Sequence, residues 1–366
     1  MKSKKVLCTF LTAFLAVTAV SCSNSKENSE ESTSTSTSQQ ETTTAEETSE
    51  PAPTDSTSDN GSSSANVSAY GTMADLNKYI TATEVTPPLW KVTDPKTNNE
   101  LYIMGTIHVL PESFTELPDY IMDIYENSDG IAVEYDTSQI TSDIRALVAY
   151  QNMFLYDDGT TIKDHISDET YQKAKAYFEQ IGAYSEPLDQ FSAGYWCNQL
   201  SSFMMLRLEN LSTTGVDSTF IANATNDGKE VVNIETLDIQ VSAIDGYSDD
   251  LVDYVMSETL DEMDEIDEFA EGVGELYNQW ASGNVDEMLD DEYEEIDELP
   301  EDLKDDYEDY MNVMLYNRNK GMADKAAEYL KEGKNYLFMV GSMHYTGDKG
   351  VDDLLTEMGY TVEKVS

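Results

Sequence analysis

The sequence predicts an α/β domain: a mostly parallel sheet formed by the N- and C-terminal parts of the domain, with a large helical insertion or cap between them. Three observations predict it. Short apolar runs of strand length alternate with helical stretches near both ends, the pattern of parallel sheets. The middle reads as helix after helix, much of it acidic. The same motif closes an apolar run at each end, Gly105-Thr106-Ile107-His108 and Gly341-Ser342-Met343-His344.

Ahead of the domain, Lys2, Lys4 and Lys5 precede an apolar run over residues 6–20, broken only by Thr9, Thr12 and Thr18, and then Ser21-Cys22. A basic start, an apolar run and a small residue form an export signal. The run is short for a transmembrane helix, which needs about 20 apolar residues, so its removal is expected. Ala19-Val20-Ser21-Cys22 resembles a bacterial lipobox, although Ala19 stands where Leu is usual. Acylation of Cys22 is therefore expected, and with it an exported protein, lipid-anchored on the outer face of the bacterial cytoplasmic membrane. An ordinary secretory signal cut nearby is the alternative. Residues 23–68 are dominated by Ser, Thr, Glu, Asn and Gln. They cannot bury enough apolar surface to offset chain entropy and read as a disordered tether.

Residues 69–366 fit one large domain. Residues 88–92 and 101–106 read as two strands of a hairpin, because Asp94-Pro95-Lys96-Thr97-Asn98-Asn99 between them is a cluster of turn formers. A helix over 118–127 leads to a strand over 131–135. Helices follow over 141–150, 168–181 with Ser167 as N-cap, 190–208 and 217–226, then a strand over 230–234. Acidic helices fill 249–332, the last over 301–330. A strand over 336–340, a helix over 350–358 and a strand over 361–365 close the domain.

Composition excludes some functions. The chain carries 72 acidic and 21 basic residues, a net charge of -51, which argues against nucleic acid as a partner. Acidic runs such as 261–265 and 290–295 lack the D-x-D-x-D-G spacing of a calcium loop and read as solvated helix faces. Cys8 lies in the signal and Cys22 in the lipobox, so Cys197 is the domain's sole cysteine and no intradomain disulfide can form. Cys197 reads as a buried residue.

The chemistry gathers on histidine. Of three in the chain, His108 and His344 each end a strand, at the edge where open α/β sheets place their sites. Glu134 ends a neighbouring strand. Two neutral imidazoles and a carboxylate form a normal shell for a divalent transition metal such as Mn, Co or Zn. The third histidine, His165, reads as a surface or capping residue outside the site. Glu235, after another strand, is a candidate for proton transfer or a supporting role. Arg318 is a candidate oxyanion or substrate-carboxylate ligand, or else an ion-pair partner. Asp217 reads first as a helix N-cap and second as a site residue.

These pieces in this order resemble the TraB/GumN/PrgY family, which includes the TIKI membrane metalloproteases. The resemblance runs from about residue 87 to 365. It rests on 101–108, on Val133-Glu134-Tyr135-Asp136, on Gly215-Val216-Asp217 and Gly228-Lys229, on Glu235-Thr236, on Arg318-Asn319 with Met322, and on 341–344 with Gly347, Gly350 and Gly359-Tyr360. It implies a metal centre at His108, His344 and Glu134 and a fold related to the erythromycin-esterase/ChaN group. By the same resemblance, TIKI-type members are similar to manganese- or cobalt-dependent proteases, and PrgY is associated with blocking a peptide pheromone. The expected function is a metal-dependent, peptidase-like hydrolase acting on an extracellular peptide or protein. The rival is a non-catalytic surface binder that sequesters a peptide signal. Haem binding through His108 or Tyr135, by analogy with the ChaN-like fold, is a remoter alternative.

Overall fold

In the computed structural model, residues 71–286, 288 and 299–366 are described. The export signal with Cys22, the tether and the acidic run at 290–295 lie outside the described residues. Among those that are described, no helix is long and apolar enough to cross a membrane.

The domain is built on a six-stranded sheet. Its strands are β1 (Leu89–Thr93), β2 (Glu100–Thr106), β3 (Gly130–Val133), β4 (Glu230–Asn233), β5 (Tyr336–Gly341) and β6 (Thr361–Lys364), in the spatial order β6-β1-β2-β5-β3-β4. β2, β5, β3 and β4 are mutually parallel, while β1 runs antiparallel to both β2 and β6. The expected hairpin forms β1 and β2. Asp94 turns it, accepting from the Lys96 backbone N–H at 2.8 Å, and Asn98 adopts φ 59°, a conformation Asn tolerates better than most residues.

β5 comes late in the chain yet inserts at the centre of the sheet, and this insertion joins the two ends of the domain. Every residue of β5 from Tyr336 to Val340 is buried, as expected for a parallel strand covered on both faces. The core around the sheet takes Ile121 and Tyr125 from α1 (Asp119–Asn127). It also takes Phe220 and Ala224 from a helix at Val216–Asp227, Met322 and Leu330 from one at Asn317–Glu332, and Leu355 from one at Val351–Glu357. Gly228 and Gly333 end two of these helices at φ 70° and 69°, the left-handed turn that lets the chain drop straight into β4 and β5.

The predicted helical insertion is a second hydrophobic core. Helices at Asp168–Gln180, Ala193–Met205, Asp249–Glu262 and Lys304–Met311 gather Phe178, Trp196, Leu200, Met256 and Tyr310 into it. Cys197 is buried there at 2% exposure. Ser167 caps the first of these helices as read from sequence, accepting from the Thr170 N–H at 3.2 Å. Two long helical segments span both cores. In Ile266–Ser282, Phe269 and Val273 pack into the cap and Trp280 against the sheet. From Lys304 to Glu332 the path is continuous but not uniform: a π-helical turn at Asn312–Tyr316 separates two α-helices.

Several sequence boundaries change. The helix read over 141–150 is two, Ser138–Thr141 and Ile144–Asn152, because Asp143 caps the second through the Arg145 N–H. The helix read over 190–208 begins only at Ala193, after a 3-10 turn at Glu186–Gln190. The single helix read over 301–330 is interrupted by the π turn.

Candidate metal centre

All four parallel strands point their carboxyl ends to one edge, and each delivers a chemical residue there. In spatial order they are His108 after β2, His344 after β5, Glu134 after β3 and Glu235 after β4. The helix Asn317–Glu332 supplies Arg318 and Asn319 from the side. All the residues singled out from sequence for the site therefore meet at this edge. His165 does not: it stacks on Tyr156 at 4.1 Å and bonds to Asp249 and Thr160 in the cap. Its side chain is 19% exposed, so the surface reading gives way to a part-buried anchor.

Glycine makes the convergence possible. A Cβ on Gly215 would lie 2.5 Å from backbone atoms of Ile107 and His108, so only glycine lets the helix Val216–Asp227 abut the histidine turn. Gly341 opens the floor of the site. A Cβ there would stand 3.3 Å from Glu134 Oε1, 3.8 Å from the His344 ring and 3.9 Å from His108 Nε2. One methyl-sized space is thus shared by all three proposed ligands.

Each imidazole is held from behind. His108 Nδ1 lies 3.2 Å from Asp217 Oδ1. Asp217 therefore is not the helix N-cap: that position is Gly215, and the aspartate in the first turn turns to the histidine instead. His344 Nδ1 bonds to Asn319 Oδ1. Burial opposes charge on His108, but the Asp217 carboxylate overrides it, with Glu134 adding, and raises the imidazole to about 9. At His344 burial prevails and lowers it to about 3.

The carboxylates are bound by Arg318. Its Nη2 donates to Glu134 Oε2 at 2.7 Å and Glu235 Oε2 at 2.8 Å, and its Nε to Glu235 Oε1 at 2.9 Å. Glu134 Oε1 accepts from the Gly341 N–H at 2.6 Å and lies 3.6 Å from His344 Nε2. Burial alone would raise the Glu134 carboxyl, yet the surrounding His344, Arg318 and His108 bring it down to about 2. Burial raises Glu235 despite Arg318. Gln240 completes the network, donating to Glu235 and to Glu134. Arg318 thus makes the ion pair that was one of its two sequence readings. Glu235 likewise has both oxygens engaged, which is the position of a supporting group.

Arg318 follows the π turn closely, and its Nη1 bonds back to the Met314 carbonyl within that turn at 2.8 Å. Single π turns recur at functional sites. Sequence reasoning gave no role to Asn319, Gln240 or the floor at Gly341. Asn319 had a signal, its place beside Arg318, because adjacent helical residues point about 100° apart and can serve different partners. Gln240 had none.

The donor set, two imidazoles and a carboxylate, is of the kind that divalent transition metals take. As the side chains stand, no group of three His, Cys, Asp or Glu among the described residues is close enough to hold an ion.

The fold, a mostly parallel sheet with a helical insertion, is the one the sequence resemblance implies. The family model described as the TraB/PrgY/gumN family matches residues 88–364, and the chain belongs to that family. It is similar to Metalloprotease TIKI2 of Danio rerio, 22% identical over 321 residues, covering 75% of this chain and 60% of the relative. Metalloprotease TIKI2 of Xenopus tropicalis is 20% identical over 334 residues, covering 79% and 60%. The chain thus spans 60% of the length of the curated relatives it matches. No solved structure matches it.

Proposed function

We propose that this protein is an exported, lipid-anchored, metal-dependent hydrolase that acts on a peptide or protein outside the cell. The observation that carries the reading is the convergence of His108 Nε2, the His344 ring and Glu134 Oε1 on the space left by Gly341. His108, His344 and Glu134 would hold manganese, cobalt or zinc. Such an ion, when bound, lowers the pKa of water and polarises a carbonyl. The chain's own residues set the frame: Asp217 and Asn319 orient the imidazoles, while Arg318 holds Glu134 ionised in a buried place and fixes Glu235 beside it. The names of the TIKI2 relatives support a protease, and the leader and Cys22 support the anchor.

Calorimetric titration of manganese, cobalt and zinc into the metal-stripped chain tests this, beside a His108→Ala, His344→Ala double variant. Binding by the parent and none by a still-folded variant is expected. No binding to the parent would overturn the metal centre. A second reading, capture of a peptide without cleavage, is favoured by the engagement of both Glu134 and Glu235 with Arg318, which ties both carboxylates into an ion pair. Mass spectrometry of peptides incubated with the metal-loaded protein separates the two.

A further inference from the structure

We propose that Asp217 and Asn319 are positioning residues that fix both imidazoles in the orientation and tautomer that leave Nε2 to bind an ion. The inference rests on the metal-dependent reading above.

The Asn319 amide is oriented by what lies behind it. Its Nδ2 is 2.8 Å from the Lys349 backbone carbonyl, which can only accept, so that end must be the NH2 donor. The other end, facing His344 Nδ1, is then the amide oxygen, which can only accept. His344 must therefore carry its proton on Nδ1, and its Nε2 keeps a lone pair on the side of Glu134. Asn319 is fully buried, at 0% exposure, so no water substitutes for either bond. At the other motif Asp217, an acceptor by its chemistry, keeps hydrogen on His108 Nδ1, so Nε2 is the nitrogen that an ion can take by displacing its proton. Metal-binding histidines depend on such backing for ring orientation and ligand strength, and its loss typically costs 10–100-fold in affinity. The two backings differ in kind. A carboxylate makes the stronger, charge-assisted bond, so Asp217 is expected to matter more than Asn319.

The test uses the full metal-free chain, with 15N-detected histidine tautomers and cobalt titration followed by its visible d–d absorption. In the parent, His344 should show hydrogen on Nδ1. Asn319→Ala should shift that proton to Nε2 and weaken cobalt binding about 10-fold or more, and Asp217→Ala should weaken it further in a chain that still folds. Asp217→Asn, which keeps an acceptor oxygen without the charge, should fall between. If Asn319→Ala does not fold, Asn319→Leu, close in size and without a polar group, supplies the same tautomer readout. Hydrogen on Nε2 in the parent, or variants that bind cobalt as tightly as a binding parent, would overturn the positioning role. A parent with the expected tautomer that binds no cobalt would overturn the metal-dependent reading instead.

Discussion

The two Gly-x-x-His motifs are identical in pattern and lie on adjacent parallel strands, yet they are not equivalent. Their register is offset: Gly341 pairs with Thr106, and Gly105 with Val340. Because side chains alternate across a strand, a shift of one residue puts the two glycines on opposite faces of the sheet. Gly105 faces packing. A Cβ there would meet Ser342 Oγ at 2.6 Å and Pro88 at 3.1 Å. Gly341 faces the site. The histidines differ as well: His108 is 26% exposed and backed by a carboxylate, whereas His344 is 3% exposed and backed by an amide. One motif therefore presents the outer, accessible ligand and the other the inner one, and repetition of a sequence pattern does not imply repetition of its surroundings.

What the two halves share is Arg318, and removing it is the strongest way to break the comparison. Arg318→Met would leave Glu134 and Glu235 buried without a counter-charge. Breaking a buried ion pair from one side costs about 3–5 kcal/mol, so a loss of that size in urea unfolding is expected. Adding Glu134→Gln and Glu235→Gln should recover a good part of it. No recovery would mean that Arg318 stabilises through packing and its bond to Met314, not through charge.

The glycines give the next largest contrast. Gly105→Ala must move Ser342 or Pro88, and overpacking of this kind costs about 1–3 kcal/mol. Gly341→Ala brings a methyl to 3.3 Å from Glu134 Oε1 and no closer to anything else, a contact that a shift of a few tenths of an ångström relieves, so it should cost less than Gly105→Ala while the added methyl occupies the ion's space and abolishes metal binding. Equal destabilisation by the two substitutions, with metal binding retained in Gly341→Ala, would show that the offset has no functional meaning.

Much of this edge was legible before the fold was known, for a physical reason. A strand end in a parallel sheet is a fixed address, so an apolar run followed by Gly-x-x-His, or by Glu134 or Glu235, says where the side chain will lie. Helical surroundings carry no such address. Asp217 and Asn319 sit one turn or less into helices, where a polar residue reads as a cap or a surface group until its partner across the fold is seen. The π turn at Asn312–Tyr316, which leads into Arg318, left no mark in a segment that reads as ordinary helix. The order of strands was also beyond the pattern, since nothing local says that β5 slots between β2 and β3.

The two histidines also differ in the sign of their response to pH. In metal-free protein His108 is raised from 6.5 to about 9. The folded state then binds the proton more tightly than the unfolded one, so this contribution to stability is complete below pH 6.5 and is lost as pH rises through about 9. His344 is lowered from 6.5 to about 3, and its effect runs the other way: the unfolded chain takes the proton first, and stability is lost as pH falls from 6.5 toward 3. The metal-free protein should therefore lose stability on both sides of neutrality, for different reasons. His344→Gln should flatten the acid limb of unfolding free energy against pH relative to the parent, and His108→Gln the alkaline limb. Both variants lack the titrating group while keeping a polar side chain of similar length, so the difference from the parent isolates each histidine from the many carboxylates titrating alongside. If both substitutions changed the same limb, the two imidazoles would share one environment, and the division into an outer carboxylate-backed ligand and an inner amide-backed one would fail.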